Sequence, residues 1–482
     1  MMTPEQISRR GFLRMAQSAA GAGVAVGTAL STRAHAAPQQ AERRRQRARP
    51  SVLVFFTDQQ RWDTAGCYGN PMGLTPNLDA FARQGVLFRN AFTCQPVCAP
   101  ARACLQTGRY ATANTVWRNG IRLPNTERTL AHAFKEAGYR VGYIGKWHLA
   151  GTDAQPVPPD ARGGYVDLWE AADALESMSH PYQPRLFDAN GNVIEMQGYR
   201  VDALTERAIS FITQPRQEPF FLFLSFLEPH FQNDMHAFVA PEGYAKRYAN
   251  PWVPPDLQGH PGDWYESLPD YYGCVARLDE CLGRVMDAIK SSGLAENTIV
   301  LFTSDHGCHF RTRNEEYKRS CHESSIRIPA AVWGPGLNCA RVVDEMVSLV
   351  DLPAILLDAA GLDSLPNAHG RSVLPLLKGP DGSWQDDVFI QISEAEVGRA
   401  VRTARWKYAV YAPDANVGRD PDSATYVERY LYDLWADPHE QVNLVGRRDH
   451  RKVADEMRER LLARMVAAGE RPAKIEPARY PA

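Results

Sequence analysis

The sequence predicts an α/β fold: a large, doubly wound, mostly parallel sheet domain over residues 51–375, and a smaller C-terminal α+β domain with an antiparallel sheet over residues 376–482. In the first part, continuous apolar runs such as SVLVFFT and TIVLFTS alternate with amphipathic helical segments, as in parallel sheets covered on both faces. The second part changes to short strands (DVFIQIS, RAVRTARWKYAVY, RYLYDL) and one helix, VADEMRERLLARMVAAG. A chain of 482 residues is long enough for two domains.

The elements of the large domain follow in order. After the first strand, SVLVFFTDQQ, one helix has Thr75 as N-cap and Gly85 as its stop, and a second begins at Cys98 and ends at Gly108. TLAHAFKEAGY, YRVDALTERAISFI and YYGCVARLDECLGRVMDAIKSSG predict helices, and YRVGYIG, FFLFLSF, TIVLFTS and AAVWG predict strands. Residues 151–199 and 231–270 lack a period, which predicts an insertion over the site and a second elaborated loop.

The N-terminus has the features of a targeting segment. SRRGFLR precedes a weakly apolar run of Ala and Gly, and Ala34-His35-Ala36 is a small-x-small cleavage site. Residues 1–36 therefore resemble a twin-arginine signal peptide, which implies the twin-arginine export machinery as a partner and a periplasmic location in a bacterium. Residues 37–50 are rich in arginine, which predicts a basic linker.

Charge and cysteine content exclude several classes of protein. Residues 1–50 carry a net charge of +7 within a chain of −2, so the remaining residues carry −9, which argues against a nucleic-acid partner. Nine cysteines in a long chain do not form a disulfide scaffold. Cys274 and Cys281 lie about 10 Å apart along one predicted helix, too far to pair with each other. Other pairings and the oligomeric state stay open.

Polar residues follow four predicted strands. In a parallel sheet, ligands collect beyond the carboxyl ends of the strands, so these residues predict one site. Oxygen ligands dominate its two adjacent pairs, which suits a hard divalent cation. The residues are Asp58, Gln59, Lys146, His148, His230, Asp305 and His306.

The segment Cys98-Ala99-Pro100-Ala101-Arg102 places a thiol, a proline and a cation at a predicted helix start, where an anion is favourably held. This C-x-P-x-R pattern resembles the signature of the type I sulfatases, within the alkaline-phosphatase-like superfamily. DQQRWDTAGCYGN and DLWADPHEQVNL are also similar to sulfatase segments, so that the resemblance runs from about Ser51 to Leu444.

The resemblance implies that a formylglycine-generating enzyme oxidises Cys98 to formylglycine. One oxygen of the hydrated aldehyde would attack sulfur, and the second hydroxyl would then eject sulfate. One divalent metal would be held by Asp58, Gln59, Asp305 and His306 together with the residue at position 98. The family's metal is calcium. Many members have Asp and Asn where this chain has Gln59 and His306, which makes manganese an alternative.

The resemblance also implies roles for five further residues. Arg102, Lys146 and Lys318 match positions that hold the anionic group and the diol. His148 matches a histidine that deprotonates the sulfated diol, and His230 one near the leaving oxygen. Spacing alone does not decide whether another six residues touch substrate: His309, Arg311, Arg313, His322, Arg399 and Arg402.

We therefore expect a hydrolase of sulfate esters, acting on a sulfated saccharide or small sulfated compound. The enzyme alternative is a phosphonate monoester or phosphodiester hydrolase on the same scaffold, to which the DQ and DH ligand pairs are similar. A silent anion-binding protein is the third possibility, and it would follow if Cys98 were never oxidised.

Overall fold

The computed structural model describes residues 49–379 and 382–478. The predicted signal peptide, and the predicted linker except for its last two residues, lie outside this range. A ten-stranded sheet forms the larger layer, and its strands run in the order β10-β2-β9-β8-β1-β7-β3-β4-β5-β6. In chain order they are Ser51–Thr57, Val86–Phe92, Arg140–Lys146, Leu168–Ala172, Arg185–Phe187, Val193–Glu195, Phe220–Ser225, Thr298–Ser304, Ala330–Trp333 and Arg341–Ser348 (β1 to β10).

The sheet is mostly parallel and is covered on both faces, as predicted. β1 pairs in parallel with β7 and β8, and β3 pairs in parallel with β7 and β4. Alternate residues of β1 point to opposite faces: Val54 belongs to one hydrophobic core cluster and Phe55 to the other. β9 runs antiparallel to both neighbours, a direction that its short apolar run did not reveal.

The helices flank this sheet and the smaller one. Within the described residues, none combines the length and apolar character needed to cross a bilayer. Their bounds, in chain order, are Pro76–Gln84, Cys98–Thr107, Ala111–Asn114, Leu130–Glu136, Arg200–Thr213, Tyr244–Arg247, Trp264–Ser291, Glu323–Ile326, Leu352–Ala359 and Arg451–Ala467 (α1 to α10).

Two local predictions hold only in part. Thr75 is the N-cap residue of α1, as predicted, but its hydroxyl accepts from the Gly66 amide and does not cap the helix. The carboxylate of Asp279 on α7 instead accepts from the amides of Asn77 and Leu78. A carboxylate brought by tertiary packing thus replaces the local cap. Residues 151–199 are not only an insertion, because β4, β5 and β6 extend the main sheet there.

The smaller sheet contains five strands in the order β11-β12-β13-β14-β15. The first four pair antiparallel, as expected, and β15 pairs in parallel with β14. The predicted run RAVRTARWKYAVY divides into two of these strands. One face of the sheet packs on α10 through Met457 and Leu461. The strands are Asp387–Ile392, Gly398–Thr403, Trp406–Tyr411, Thr425–Asp433 and Lys474–Glu476 (β11 to β15).

Candidate active site and metal centre

Four neighbouring parallel strands bring the predicted site residues to one edge of the large sheet. In the sheet order β8, β1, β7 and β3 are adjacent, so their carboxyl ends lie side by side. Asp58 follows β1, Asp305 follows β8, and His230 comes after β7. Lys146 is the last residue of β3 and not, as predicted, a residue after it.

Cys98 lies at the centre of this edge. It is the first residue of α2, and Val97 before it is extended. The amide of Ala99 donates to Asn119 Oδ1 at 3.0 Å, which satisfies one of the free N–H groups of the helix start. α2 ends at Gly108, which has a left-handed φ of 68°, a conformation that glycine adopts without strain.

Cations and an imidazole surround the Cys98 sulfur. Sγ lies 2.9 Å from Lys318 Nζ, 3.4 Å from His306 Nε2 and 3.8 Å from Lys146 Nζ. Burial raises the pKa of the Cys98 thiol, but Lys146, Lys318 and other donors outweigh burial and hold it well below its usual value. The site is therefore built to hold negative charge on the side chain at position 98.

Two buried carboxylates face the same sulfur. One ligand atom from each of Asp58, Cys98, Asp305 and His306 lies within 4.8 Å of the others. Burial and the charge of Asp58 raise the pKa of Asp305. Burial also raises the pKa of Asp58, but Lys146 and other cations outweigh it and hold that pKa below its usual value. The two carboxylates repel each other, and a cation between them would relieve this repulsion.

The donor set fits a divalent metal. Oδ2 of Asp305 lies 3.2 Å from Arg102 Nη2, yet within the described chain it has no hydrogen-bond donor of acceptable geometry. Nδ1 of His306 lies 3.0 Å from the Gly307 carbonyl and so carries the ring proton. His306 Nε2 then presents a lone pair toward Asp58 and Asp305, at 3.7 and 3.6 Å, as a metal-ligating imidazole does.

Gln59 contributes with its backbone and its side chain. The backbone of Gln59 has a left-handed φ of 67°, and its backbone N–H donates to Asp305 Oδ1 at 3.0 Å. The side-chain Oε1 accepts from Lys318 Nζ at 3.4 Å, and Nε2 lies 3.4 Å from Cys308 Sγ. The predicted ligand oxygen of Gln59 therefore lies at the edge of the carboxylate cluster, beside Lys318.

Arg102 and Lys146 hold Asp58 between them. Arg102 Nη2 donates to Asp58 Oδ2 at 2.9 Å, and Lys146 Nζ lies 2.8 Å from the same oxygen. Nη1 of Arg102 donates to the Lys146 carbonyl and to Ser225 Oγ, both at 2.8 Å. Arg102 therefore organises the carboxylates and the β3 and β7 strand ends, while Lys146 also faces Cys98.

The two predicted histidines flank the cluster and are half-buried. His230 lies 2.9 Å from Lys318 Nζ through Nε2 and 2.6 Å from the Phe231 carbonyl through Nδ1. Since an ammonium group only donates and a carbonyl only accepts, these partners indicate that Nε2 accepts and Nδ1 donates. His148 is among the groups that lower the pKa of the Cys98 thiol, and it has a left-handed φ of 60°.

Comparison with known proteins identifies the family. The Sulfatase family model matches residues 50–362, and the model of the N-sulphoglucosamine sulphohydrolase C-terminal region matches residues 316–467. The chain belongs to the sulfatase family of sulfuric-ester hydrolases. The crystal structure of yidJ from Bacteroides fragilis aligns with a TM-score of 0.76 and 25% identity over 88% of this chain and 97% of that one.

Two curated relatives of this sulfatase extend the comparison. The ulvan-active sulfatase of Formosa agariphila is 29% identical over 88% of this chain and 82% of its own length. The N-acetylglucosamine-6-O-sulfatase of Bacteroides thetaiotaomicron is 23% identical over 89% of this chain and 88% of its own.

The six residues that spacing left undecided have other partners in this sulfatase. His309 Nε2 lies 3.0 Å from the Lys318 carbonyl, and His322 packs against Tyr432. Their side chains support the segment around Lys318 or the smaller sheet. The four arginines behave alike: Arg311 stacks on Tyr317, Arg313 donates to the carbonyls of His439 and Glu440, Arg399 pairs with Glu470, and Arg402 pairs with Glu323.

Sequence reasoning missed Ser225, Asn119 and Glu176. Ser225 ends β7, so the rule that placed Asp58 at a strand end could have found it. Asn119 reaches Ala99 from a loop, and Glu176 reaches Lys146 from the 151–199 segment. No periodic pattern marks either of these two. All nine cysteines lie in the described part of the chain, and none forms a disulfide there.

Proposed function

We propose that this sulfatase hydrolyses sulfate esters of a saccharide or small sulfated compound, using a formylglycine made from Cys98 and one divalent metal. The observation that carries the proposal is the position of Cys98, within 4.8 Å of two carboxylates and an imidazole and in contact with two lysines. A side chain held among these groups is placed to meet an anionic ester, and a formylglycine at this position would carry the reacting hydroxyl group.

Calcium is the metal that we propose, with manganese as the alternative because an imidazole is among the donors. Asp58, Asp305 and His306 would hold it, and Gln59 would complete the set by a small movement of its amide. When bound, it would supply Lewis-acid stabilisation of negative charge at position 98. As formylglycine hydrate, residue 98 would supply a nucleophilic hydroxyl group.

The cations of the chain bind and orient the ester. Lys146 and Lys318 lie 3.8 and 2.9 Å from Cys98 Sγ, so an anionic group bound against residue 98 would meet both. Charge that develops on the sulfate oxygens is stabilised by such fixed donors. Arg102 acts on the ester indirectly, because it holds Asp58 and the end of β3 that carries Lys146.

The histidines handle protons. His148 follows β3 two residues after Lys146 and is among the groups that lower the pKa of the Cys98 thiol, which suits it to accept a proton from a hydroxyl group on residue 98. His230 contacts Lys318 and opens toward solvent, which suits a position beside the leaving alcohol. A proton transferred from Lys318 or from water can neutralise the oxygen of the leaving alcohol.

We infer the location from the sequence, and the substrate class from the sequence and one relative. The twin-arginine pattern supports export of the folded protein to the periplasm, after a formylglycine-generating enzyme has acted on Cys98. The N-acetylglucosamine in the name of one relative supports a sulfated saccharide as substrate. The acidic chain, with −9 beyond residue 50, argues against nucleic acid and favours a small or chain-end substrate over a long polyanion.

The test is kcat/KM on an aryl sulfate, sulfated monosaccharides, an aryl phosphonate monoester and a phosphodiester. We expect sulfate esters to be preferred by at least about 100-fold, since the site is matched to a monoanion with three equivalent oxygens. Cys98→Ala should remove turnover while leaving the fold intact. A clear preference for either phosphorus ester would support the phosphorus-ester alternative, and a folded protein inactive on all esters would indicate a silent anion-binding protein.

A further inference from the structure

Glu176 is a carboxylate that the proposed chemistry does not use. It lies in the short 3-10 helix Leu175–Ser177, which follows β4. Its Oε1 accepts from Lys146 Nζ at 3.0 Å, and its side chain is only 10% exposed. The same lysine contacts Asp58 at 2.8 Å and Cys98 at 3.8 Å. One ammonium group therefore separates Glu176 from the reacting position.

The second oxygen of Glu176 is unsatisfied. Oε2 is buried and has no hydrogen-bond donor among residues 49–379 and 382–478. Burial raises the pKa of Glu176, but the charge of Lys146 and of other nearby groups outweighs it and lowers the pKa to about 2. The group is thus an ionised acceptor at neutral pH. A buried carboxylate oxygen without a donor is costly, so a ligand or water is expected to supply one.

The surroundings limit what that donor is. Gln232 Nε2 donates to the Glu176 carbonyl at 3.2 Å, so the segment that follows His230 lies beside Glu176. His148 and His230 are half-buried, so the site is partly open to solvent at these two residues. Nδ1 of His148 also has no partner in the described structure, which means that it does not bond to Glu176. An ammonium group on the ligand would be repelled by Lys146 and its neighbouring cations, whereas a neutral hydroxyl group would not.

We propose that Glu176 recognises a free hydroxyl group next to the sulfate ester, through a hydrogen bond from that hydroxyl to Oε2. This inference rests on the proposed function and narrows its substrate class to monosulfates of vicinal diols, such as sugars with an unmodified neighbouring hydroxyl. Lys146 lies against residue 98 on one side and Glu176 on the other. It would therefore lie between the sulfate group and the neighbouring hydroxyl group of the substrate.

The test compares two esters that differ by one hydroxyl: trans-2-hydroxycyclohexyl sulfate and cyclohexyl sulfate. Wild-type enzyme should prefer the hydroxylated ester by about 10- to 100-fold in kcat/KM, the size of a hydrogen bond to a charged group. In Glu176→Gln the amide oxygen still accepts from Lys146, but the charge is lost. The preference should fall at least about fivefold, mainly through the hydroxylated ester.

The controls separate recognition from positioning. Equal losses on both esters in Glu176→Gln would overturn the proposal and assign Glu176 to holding Lys146 or His148. Glu195→Gln makes the same change on exposed β6, where Glu195 pairs with Arg185, and should change neither rate. If Glu176→Gln does not fold, a wild-type preference below about threefold still overturns the inference. Wild-type enzyme that releases no sulfate from any ester, 4-nitrophenyl sulfate included, would refute the proposed function itself.

Discussion

Replacing Arg102 by alanine is the perturbation whose cost the structure defines best. The guanidinium is 2% exposed and lies against two carboxylates, 2.9 Å from Asp58 Oδ2 and 3.2 Å from Asp305 Oδ2. It also donates to the Lys146 carbonyl and to Ser225 Oγ. Arg102→Ala therefore leaves two buried carboxylates with one cation fewer and two strand ends without their link.

The expected loss of unfolding free energy is about 3 kcal/mol. Removing one partner of a buried ion pair costs about 3–5 kcal/mol, because the remaining charge is left uncompensated. Lys146 stays 2.8 Å from Asp58, which keeps the cost at the lower end of this range. Calcium should return part of the loss in the variant, since the proposed metal neutralises the same carboxylates.

Urea unfolding followed by tryptophan fluorescence, with EDTA or with calcium, measures both effects. The matched control is Arg89→Ala, which removes an exposed arginine 2.7 Å from Asp344 and should cost about 1 kcal/mol or less. A loss for Arg102→Ala no larger than that of the control would refute the role assigned to this residue. So would a variant that calcium does not stabilise.

Three further outcomes are expected. Asp305→Ala should bind less than about a tenth of the wild-type metal content by elemental analysis, because it deletes a charged ligand; full occupancy would remove Asp305 from the proposed site. Burial lowers the pKa of His309 to about 4, below the unfolded value of about 6.5. The free energy of unfolding should therefore fall by about 2 kcal/mol between pH 7 and pH 5 because of this histidine. In His309→Leu the fall should be smaller by that amount, and equal falls in wild type and variant would contradict the assignment. Asp279→Ala should cost about 1–2 kcal/mol in urea unfolding through its two capping bonds to α1, and an unchanged midpoint would contradict this assignment.

The central part of the site could be predicted because strand ends of a parallel sheet share one edge. Asp58, Lys146 and Asp305 each stand at the end of an apolar run, so the sequence places them together without any contact information. Cys98 is recognisable from its five-residue motif. The coverage of both faces of the sheet could also be predicted, because the residues of β1 are apolar on both faces of the strand.

The remaining features depend on tertiary contacts that no local pattern encodes. Asp279 caps a helix about 200 residues earlier in the chain, so the rule that selected Thr75 found the right position but the wrong partner. Glu176 lies in a segment without periodicity, and only the packing of β4 beside β3 brings it to Lys146. The antiparallel direction of β9 is likewise set by its neighbours, because an apolar run reads the same in either direction.

The most direct test of the account is mass spectrometry of the peptide that contains Cys98, from fully active protein made with its maturation enzyme. Residue 98 should have lost one sulfur and two hydrogens and gained one oxygen, the change from a thiol to an aldehyde. An intact thiol at position 98 in protein with full sulfatase activity would contradict it.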